Sequence, residues 1–413
     1  MMSNLPEELF LDITRLSSMK ARAAVQTCLL SKRWNHLWER LPDLNFDLSE
    51  FYSEDLNQYE QRFSRFVSTM LERRKTDTLD KFRLSCFDVC DKQHCSSIER
   101  WILYAIQHKV RVVELEVCVW SVRRVLTHKN IPYDSIEELD LRLGDCNSFG
   151  IEMLKAQRDY IAPQSVHLPR LLKLQLRGLC MCSRDFFTEL ISGCPSLEEL
   201  WLESFNMPRK FSICSQNLQH LTIKECSGIH NLTFEAPKLL SFCFFGSISD
   251  FMHVSDQCGD MPSLTHATLA LLTDRHNLYS LDETLENLSF IETLELCASK
   301  IKVESKSPSY DLTMYNLKKL SICLHGFEYF PCIWKSLLNL EKLTMWTSCQ
   351  HSYQHYNGIL NWDEELQSAL MECKTLKTVE VVCSTLDDQK RQLVDDLCQL
   401  GDVKIVISNR GCS

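Results

Sequence analysis

The chain has 413 residues, of which 45% are hydrophobic and 24% are charged, and its formal net charge is −10 at pH 7. This composition excludes a disordered or collagen-like chain, and the length allows two or three domains with a large core. The negative charge argues against a nucleic acid as partner, because phosphate would be repelled and no groove-reading motif occurs. No apolar run approaches the roughly 18–20 residues of a membrane span, so we expect no membrane association.

The chain contains 21 cysteines. They lack the compact, regular spacing of a small disulfide-stabilised secreted domain, and the first residues lack the pattern of a secretory signal peptide. We therefore expect reduced thiols in a protein of the cytoplasm or the nucleus. Under those conditions cysteine behaves as a small buried hydrophobic residue.

Residues 1–42 predict three short helices. Pro6 suits the start of the first helix, and Ser31 can cap the third with its hydroxyl. So small a unit buries too little apolar surface to offset its ordering entropy, so it must pack against the rest of the chain or against another protein. The apolar positions at helical spacing are Leu9, Ile13 and Leu16, then Val25, Cys28 and Leu29, then Trp34, Leu37, Trp38 and Leu41.

The dipeptide Leu5-Pro6 and the stretch AVQTCLLSKRWNHLW, residues 24–38, resemble the F-box of plant F-box proteins. In that family the F-box docks on a Skp-type adaptor, which links it to a cullin and thereby to a ubiquitin ligase. The resemblance implies an adaptor-binding surface formed by Leu5, Pro6, Ile13, Leu16, Val25, Leu29, Leu30 and Trp34.

The charge of this segment points the same way. Between residues 15 and 40 the only acid is Glu39. A basic patch on an acidic chain favours an acidic protein as partner. The basic residues are Arg15, Lys20, Arg22, Lys32, Arg33 and Arg40.

Residues 43–78 are assigned to a linker. The stretch 43–55 is acidic and breaks the helical pattern, and a longer helix follows it. That helix ends in Arg73-Arg74-Lys75, the sign of charge that a helix C-terminus favours. Its apolar stripe consists of Phe63, Phe66, Val67, Met70 and Leu71.

From residue 79 to residue 383 the pattern L-x-x-L-x-L recurs twelve times, with other apolar residues in place of some leucines. Between Leu171 and Leu340 the repeats start 21 to 27 residues apart, the period of a leucine-rich repeat. The stretch GCPSLEELWL, residues 193–202, also resembles the repeats of the plant F-box family. We predict an α/β fold: a curved solenoid with parallel strands on its concave face and helices and loops outside. Residues 384–413, with Leu393, Leu397 and Leu400 followed by an apolar strand over 403–407, predict the terminal cap that a solenoid needs.

The residues beside the inward leucines should face the concave side. They are charged in the early repeats and mostly apolar or small between Cys243 and Trp346, which favours a protein-binding surface there. We predict Phe245 and Trp346 as anchors for a target protein, with Arg142, Arg177 and Lys224 as orienting charges. Two alternatives remain open: the loop over residues 348–361 could cover this hydrophobic floor, or the register could be off by one in some repeats.

No catalytic site is indicated. Cys86, Cys90, His94 and Cys95 have residue types that could hold zinc, but their spacing matches no common C-x-x-C pair of pairs. No glycine-rich phosphate loop and no G-x-S-x-G elbow occurs. We therefore expect no bound metal, no cofactor and no enzymatic activity.

The resemblance implies a substrate-recognition subunit of a Skp-cullin-F-box ubiquitin ligase, whose repeats bind an unknown target protein. Two alternatives remain. One is a non-catalytic interaction scaffold, and the other is a small-molecule sensor that uses the concavity of the solenoid.

Overall fold

The fold is taken from a computed structural model of the chain. It divides into two compact units, Met1–Asn206 with Ile213–Ser215 and Met207–Ser212 with Gln216–Ser413. The residues that the structure describes are 19–29, 32–52, 56–86, 92–126, 133–144, 166–178, 189–204, 211–227, 229, 232–247, 250–251, 261–272, 285, 288–298, 314–323, 339–347, 364–383, 388–400 and 403–408.

The first unit is built on six parallel strands that lie side by side in sequence order. Helices connect several of them, because parallel neighbours require a crossover. Short 3-10 turns at Thr27–Leu29, Lys32–Trp34, Leu37–Arg40 and Leu48–Phe51 complete the described part. The longer elements are α1 (Ala21–Gln26), β1 (Asp43–Asp47), α2 (Leu56–Arg73), β2 (Lys81–Ser85), α3 (Lys92–Gln107), β3 (Val112–Cys118), α4 (Val119–Leu126), β4 (Glu138–Gly144), β5 (Lys173–Arg177) and β6 (Glu199–Glu203).

The second unit carries eight parallel strands, again in sequence order. They are β8 (His220–Lys224), β10 (Ser241–Ser247), β11 (His266–Leu272), β12 (Thr293–Ala298), β13 (Lys319–Cys323), β14 (Lys342–Trp346), β15 (Thr378–Val382) and β16 (Lys404–Ser408). The other described elements from residue 207 onward are the short strands β7 (Phe211–Cys214) and β9 (Leu232–Glu235), the helices α5 (Glu364–Glu372) and α6 (Asp388–Leu397), and a 3-10 turn at Cys398–Leu400.

The strands bury one face and leave the other open. In β5, Leu174 and Leu176 are fully buried while the residues between and beside them are half-buried. The same alternation holds in β10, where Phe242 and Phe244 are fully buried. The second and third apolar residues of each repeat therefore form the core, and the leucine-rich-repeat fold predicted from the sequence is confirmed.

Polar side chains link each repeat to the one before it. Ser196 donates to the carbonyl of Pro169 at 2.7 Å, and Ser263 donates to that of Pro237 at 2.9 Å. Asn339 donates to the carbonyl of Tyr315 at 2.7 Å, although the residues lie 24 positions apart. Each bond satisfies a carbonyl that the turn before a strand leaves unpaired, at a net gain of about 1 kcal/mol.

Three strands were not predicted from the sequence: β1 and the short strands β7 and β9. Asp43–Asp47, which lies in the predicted linker, forms β1 and pairs in parallel with β2. Leu44 and Phe46 are buried while the polar residues between them are half-buried, so the stretch has the period of a strand. Two of the acids that suggested a break in the pattern, Asp43 and Asp47, lie on the open face of β1. The remainder of the linker contains the predicted helix as α2, with Phe63, Val67, Met70 and Leu71 buried.

The segment before β1 differs from three regular helices. Of the predicted helices, the first lies outside the described residues. The second is the single turn α1 with a 3-10 extension, and the third is split into the turns Lys32–Trp34 and Leu37–Arg40. The hydroxyl of Thr27 donates to the carbonyl of Ala24 at 2.6 Å, a local bond that competes with further helix. Trp34, Leu37 and Leu41 are buried, as expected for one apolar face.

A buried carboxylate holds this segment to the end of α2. Glu39, which is 6% exposed, forms an ion pair with Lys75 and lies 3.0 Å from Nδ1 of His36. Burial alone would raise the pKa of Glu39, but the hydrogen bonds of Lys75 and His36 outweigh it and leave the pKa below the usual 4.5. The amide of Lys75 also donates to the carbonyl of Glu39 at 2.8 Å.

The register of the strands can be tested at two phenylalanines of β10. Replacing Phe242 with alanine should lower the free energy of unfolding by about 3–5 kcal/mol, because its ring is fully buried. The same change at the half-buried Phe245 should cost less than half as much. Urea unfolding followed by circular dichroism measures both losses, and equal losses would contradict this assignment of the two faces.

The contribution of Glu39 should depend on pH. Because the folded state lowers the pKa of this carboxyl, its stabilisation is present above about pH 4.5 and is lost as the pH falls through the folded pKa. Glu39→Gln should therefore lower the stability by about 1–3 kcal/mol at pH 7, with a difference from the parent that shrinks below about pH 4.5. The control is Glu72→Gln, at an exposed acid of α2, which should change little at any pH. A loss for Glu39→Gln that is constant down to pH 3 would contradict the assignment.

Candidate functional site

The predicted adaptor-binding residues that the structure describes differ widely in exposure. Leu29 is 84% exposed, Val25 is half-buried and Trp34 is only 4% exposed. In the free chain Leu29 is therefore available for contact, whereas the side chain of Trp34 is part of the interior. The remaining five, Leu5, Pro6, Ile13, Leu16 and Leu30, lie outside the described residues, and the docking role of the set stays a prediction.

Two residues of the predicted basic patch bind within the chain. The ammonium of Lys20 lies 2.6 Å from the carboxylate of Asp47. The guanidinium of Arg22 donates to the carbonyl of Glu50 and lies 4.9 Å from the ring centre of Phe51. These contacts anchor the start of α1 to β1 and to the turn after it, so less positive charge is left for a partner than the sequence suggested.

The open face of the first unit carries a network of ion pairs. Glu114 binds Lys81 at 2.5 Å and Arg83 at 3.6 Å. Arg142 lies 3.3 Å from Glu116, which also accepts from the hydroxyl of Ser85 at 3.0 Å. The pairs join side chains of neighbouring strands, because the parallel register places Arg83 beside Glu114 and Glu116 beside Arg142.

Arg177 extends this network of ion pairs. It lies 3.4 Å from Asp140 and 3.8 Å from Glu203. Burial raises the pKa of the Asp140 carboxyl, and the positive charge of Arg177 opposes that rise. The predicted orienting charges Arg142 and Arg177 therefore lie on the same face and line one depression of about 130 Å³. Both already have acidic partners, so a target would have to compete for them.

The open face of the second unit carries the predicted aromatic anchors. Phe245 and Trp346 are half-buried on β10 and β14, and Lys224 lies beside Phe245 in the strand register. The floor between them is not open as the sequence suggested. Ala270, Cys297 and Cys323 are 4%, 8% and 4% exposed.

The register gives a physical reason for the burial of this floor. Ala270 lies beside Phe245, and Cys323 and Val382 flank Trp346 on its two sides. Short side chains beside tall aromatic rings lose access to solvent. The loop over residues 348–361, one of the two alternatives left open for this floor, lies outside the described residues. Among the described residues at these outward strand positions, Phe245 and Trp346 are thus the large apolar side chains that solvent can reach.

Trp346 forms one wall of a second depression, of about 180 Å³. Its indole N–H donates to the hydroxyl of Ser321 at 2.8 Å. At the floor, the buried carboxylate of Glu380 binds the ammonium of Lys342 at 2.7 Å and the hydroxyl of Ser408 at 2.9 Å. These contacts fix the ring and neutralise one of the acids around it.

Of the twelve cysteines whose side chains the structure describes, eight are buried, Cys28 and Cys243 are half-buried, and Cys214 and Cys398 are exposed. Cys194 donates to the carbonyl of Leu190 at 2.9 Å, and burial raises the pKa of its thiol to about 12. Cys226 is also buried. Of the cluster considered for zinc, Cys86 is buried and Cys90 lies outside the described residues. Among the described side chains, no three His, Cys, Asp or Glu residues are grouped so that they could hold a metal ion.

None of the described helices combines the length and the apolar character needed to cross a lipid bilayer.

Comparison with known proteins agrees with this architecture. Residues 70–390, more than half of the chain, match the family model described as "At1g61320/AtMIF1, LRR domain". The putative F-box/LRR-repeat protein At3g49150 of Arabidopsis thaliana is 24% identical over 426 residues, which cover 95% of this chain and 63% of that relative. The present chain thus spans less than two thirds of the length of that relative.

Two further relatives from Arabidopsis thaliana are similar over most of their length. The F-box/LRR-repeat protein At3g59210 is 26% identical over 383 residues, covering 82% of this chain and 71% of its own. The putative F-box/FBD/LRR-repeat protein At3g59240 is 26% identical over 429 residues, covering 95% and 79%. The chain belongs to the leucine-rich-repeat family of the matching model, and its recognition as a plant F-box/leucine-rich-repeat protein is confirmed.

Proposed function

We propose that this protein is the substrate-recognition subunit of a Skp-cullin-F-box ubiquitin ligase. The observation that carries the proposal is Leu29, an 84% exposed leucine in the F-box-like segment. An isolated apolar side chain on a surface needs no explanation by itself, but here it lies in the motif that plant F-box proteins use to bind a Skp-type adaptor. Relatives named F-box/LRR-repeat proteins support the same assignment.

The contribution of the chain to ubiquitin transfer is proximity. Glu39, Lys20 and Arg22 join the adaptor end to the first strands and to the end of α2, and the repeats would bring a bound target to the ligase. The target lysines would then be at a high effective concentration near an activated ubiquitin, and this chain would need no catalytic group. The function requires the cytoplasm or the nucleus, where this machinery acts.

The target site that we propose is the open face of the repeats. Phe245 and Trp346 would supply apolar anchors, and Arg142, Arg177 and Lys224 would orient the target by charge. Anchors of this kind dominate protein interfaces, whereas exposed charge pairs contribute mainly to orientation and association rate.

A small-molecule sensor is less well supported. The two depressions described on the open faces have volumes of about 130 and 180 Å³. Pockets that enclose a drug-sized ligand begin at roughly 300 Å³. Among the described residues, these sites therefore suit single side chains of a protein target better than a hormone-sized molecule. A scaffold without ligase function is distinguished by the second experiment below.

Adaptor capture tests the first half of the proposal. Leu29→Asp should weaken capture of a purified Skp-type adaptor at least tenfold, because a charge would have to be desolvated at the interface. The matched control is Met371→Asp, at a 58% exposed residue of α5, which should leave capture unchanged. Full capture by the Leu29 variant, or no capture by the parent chain, would overturn the proposal.

Target turnover tests the second half. Cells that express the Leu29→Asp variant in place of the parent should accumulate the target, and proteomics of proteins retained by the variant should identify it. This variant is preferable to deletion of residues 1–42, since deletion removes Trp34, Leu37 and Leu41 from the interior. Retained partners whose half-lives equal those in parent cells would indicate a scaffold.

A further inference from the structure

The depression beside Trp346 combines an aromatic ring with an acid, Glu295, that pairs with none of the described cations. It lies on the open face of strands β12 to β15, and Thr293, Glu295, Ser321, Thr344 and Trp346 line it among others. All of these residues belong to the second unit. The ring is half-buried, so part of its surface remains accessible to a ligand.

The hydrogen bond of Trp346 sets the direction of its ring. The indole N–H donates to Ser321 on the neighbouring strand β13, so the ring leans from β14 across β13. Ser321 is in register with Glu295 on β12. Since adjacent strands are about 4.8 Å apart, the backbone of Glu295 lies about one strand spacing beyond that of Ser321, and the hydrogen bond from Thr268 draws the Glu295 carboxylate toward β11.

The charges around the ring leave Glu295 as the available acid. Glu380 is buried and paired with Lys342 at 2.7 Å. Glu295 is exposed, and among the described residues it accepts only a 3.4 Å hydrogen bond from Thr268, with no cation at ion-pair distance. Lys319, exposed two residues before Ser321, also lines the depression, in register with Thr293. Its charge disfavours a second cation there, so the depression suits a ligand with one positive group.

We propose that this depression binds a single arginine side chain of the target protein. The guanidinium would stack on the indole of Trp346 and form an ion pair with Glu295, with the neighbouring hydroxyls available for its remaining N–H groups. Arginine fits better than lysine, because its planar group stacks on aromatic rings and presents several donors in a fixed arrangement. A volume of about 180 Å³ accommodates one such side chain.

That the arginine belongs to a ubiquitination target rests on the proposed function. The acidic balance of the whole chain, −10, would also favour approach of a basic target segment.

The probe for this site is a blocked five-residue peptide, Gly-Ser-Arg-Ser-Gly, added to the full chain at millimolar concentration. The indole N–H resonance of Trp346, identified among the eight tryptophans by its loss in Trp346→Phe, should shift and saturate at roughly millimolar peptide. The lysine version of the peptide should bind several-fold more weakly, and the glutamine version should produce no saturable shift.

The matched variants are two glutamate substitutions of equal charge change. Glu295→Gln should weaken binding of the arginine peptide at least fivefold. Glu292→Gln, which removes the partner of Lys318 outside the depression, should bind it as the parent does. Equal shifts with the arginine and glutamine peptides, or unchanged binding to the Glu295 variant, would overturn the inference.

The outcome is separable from that of the proposed function, because the peptide titration needs no adaptor. Arginine binding together with failed adaptor capture would leave the site intact and remove the ligase assignment. Adaptor capture and target turnover together with failed peptide binding would remove the site alone.

Discussion

The structure depends on the burial of alternating apolar side chains between stacked parallel strands. A strand such as β5 places Leu174 and Leu176 in the core, and each contributes about 1.5–3 kcal/mol when it is fully buried. That burial exists only while the neighbouring strands are present, since no repeat can cover its own apolar face. The backbone hydrogen bonds and the side-chain links such as Asn339 to Tyr315 depend on the same neighbours. Stability within each unit is therefore a sum over adjacent repeats.

The N-terminal segment takes part in this stacking instead of standing apart from it. Its continuation, β1, is the first described strand of the parallel sheet in the first unit. Glu39 binds Lys75 just after α2, and Lys20 binds Asp47 at the end of β1. An adaptor that binds the exposed side of this segment would consequently be held by the sheet itself. For the proposed ligase subunit this rigid connection matters, because a flexible tether would lower the effective concentration of the target.

The open faces of the two units have different chemistry. In the first unit, cations and acids alternate from strand to strand and neutralise one another, as Arg142 does with Glu116. Exposed pairs of this kind add little stability, so they leave the surface polar and competent to orient a partner. In the second unit the aromatic rings of Phe245 and Trp346 stand beside short side chains, and no cation of the described residues lies at ion-pair distance from Glu295. Such a surface favours binding of a partner through a few individual side chains.

The amino-acid sequence by itself determined the repeats, the strand positions and the helix α2, because periods of 2 and 3.6 residues are local properties of a chain. It also carried the F-box-like motif and the positions of Phe245 and Trp346 on the open face of their strands. It did not reveal β1, because the acids on the open face of this five-residue strand suggested that an acidic stretch interrupts the helical pattern.

Only the tertiary structure decided which side chains are covered and which charges are paired. The partners of Lys20 and Glu39 lie 27 and 36 residues away, and the burial of Ala270 and Cys323 follows from the aromatic residues beside them in the register. Those neighbours are set by the stacking of repeats, and a local sequence pattern contains no information about them.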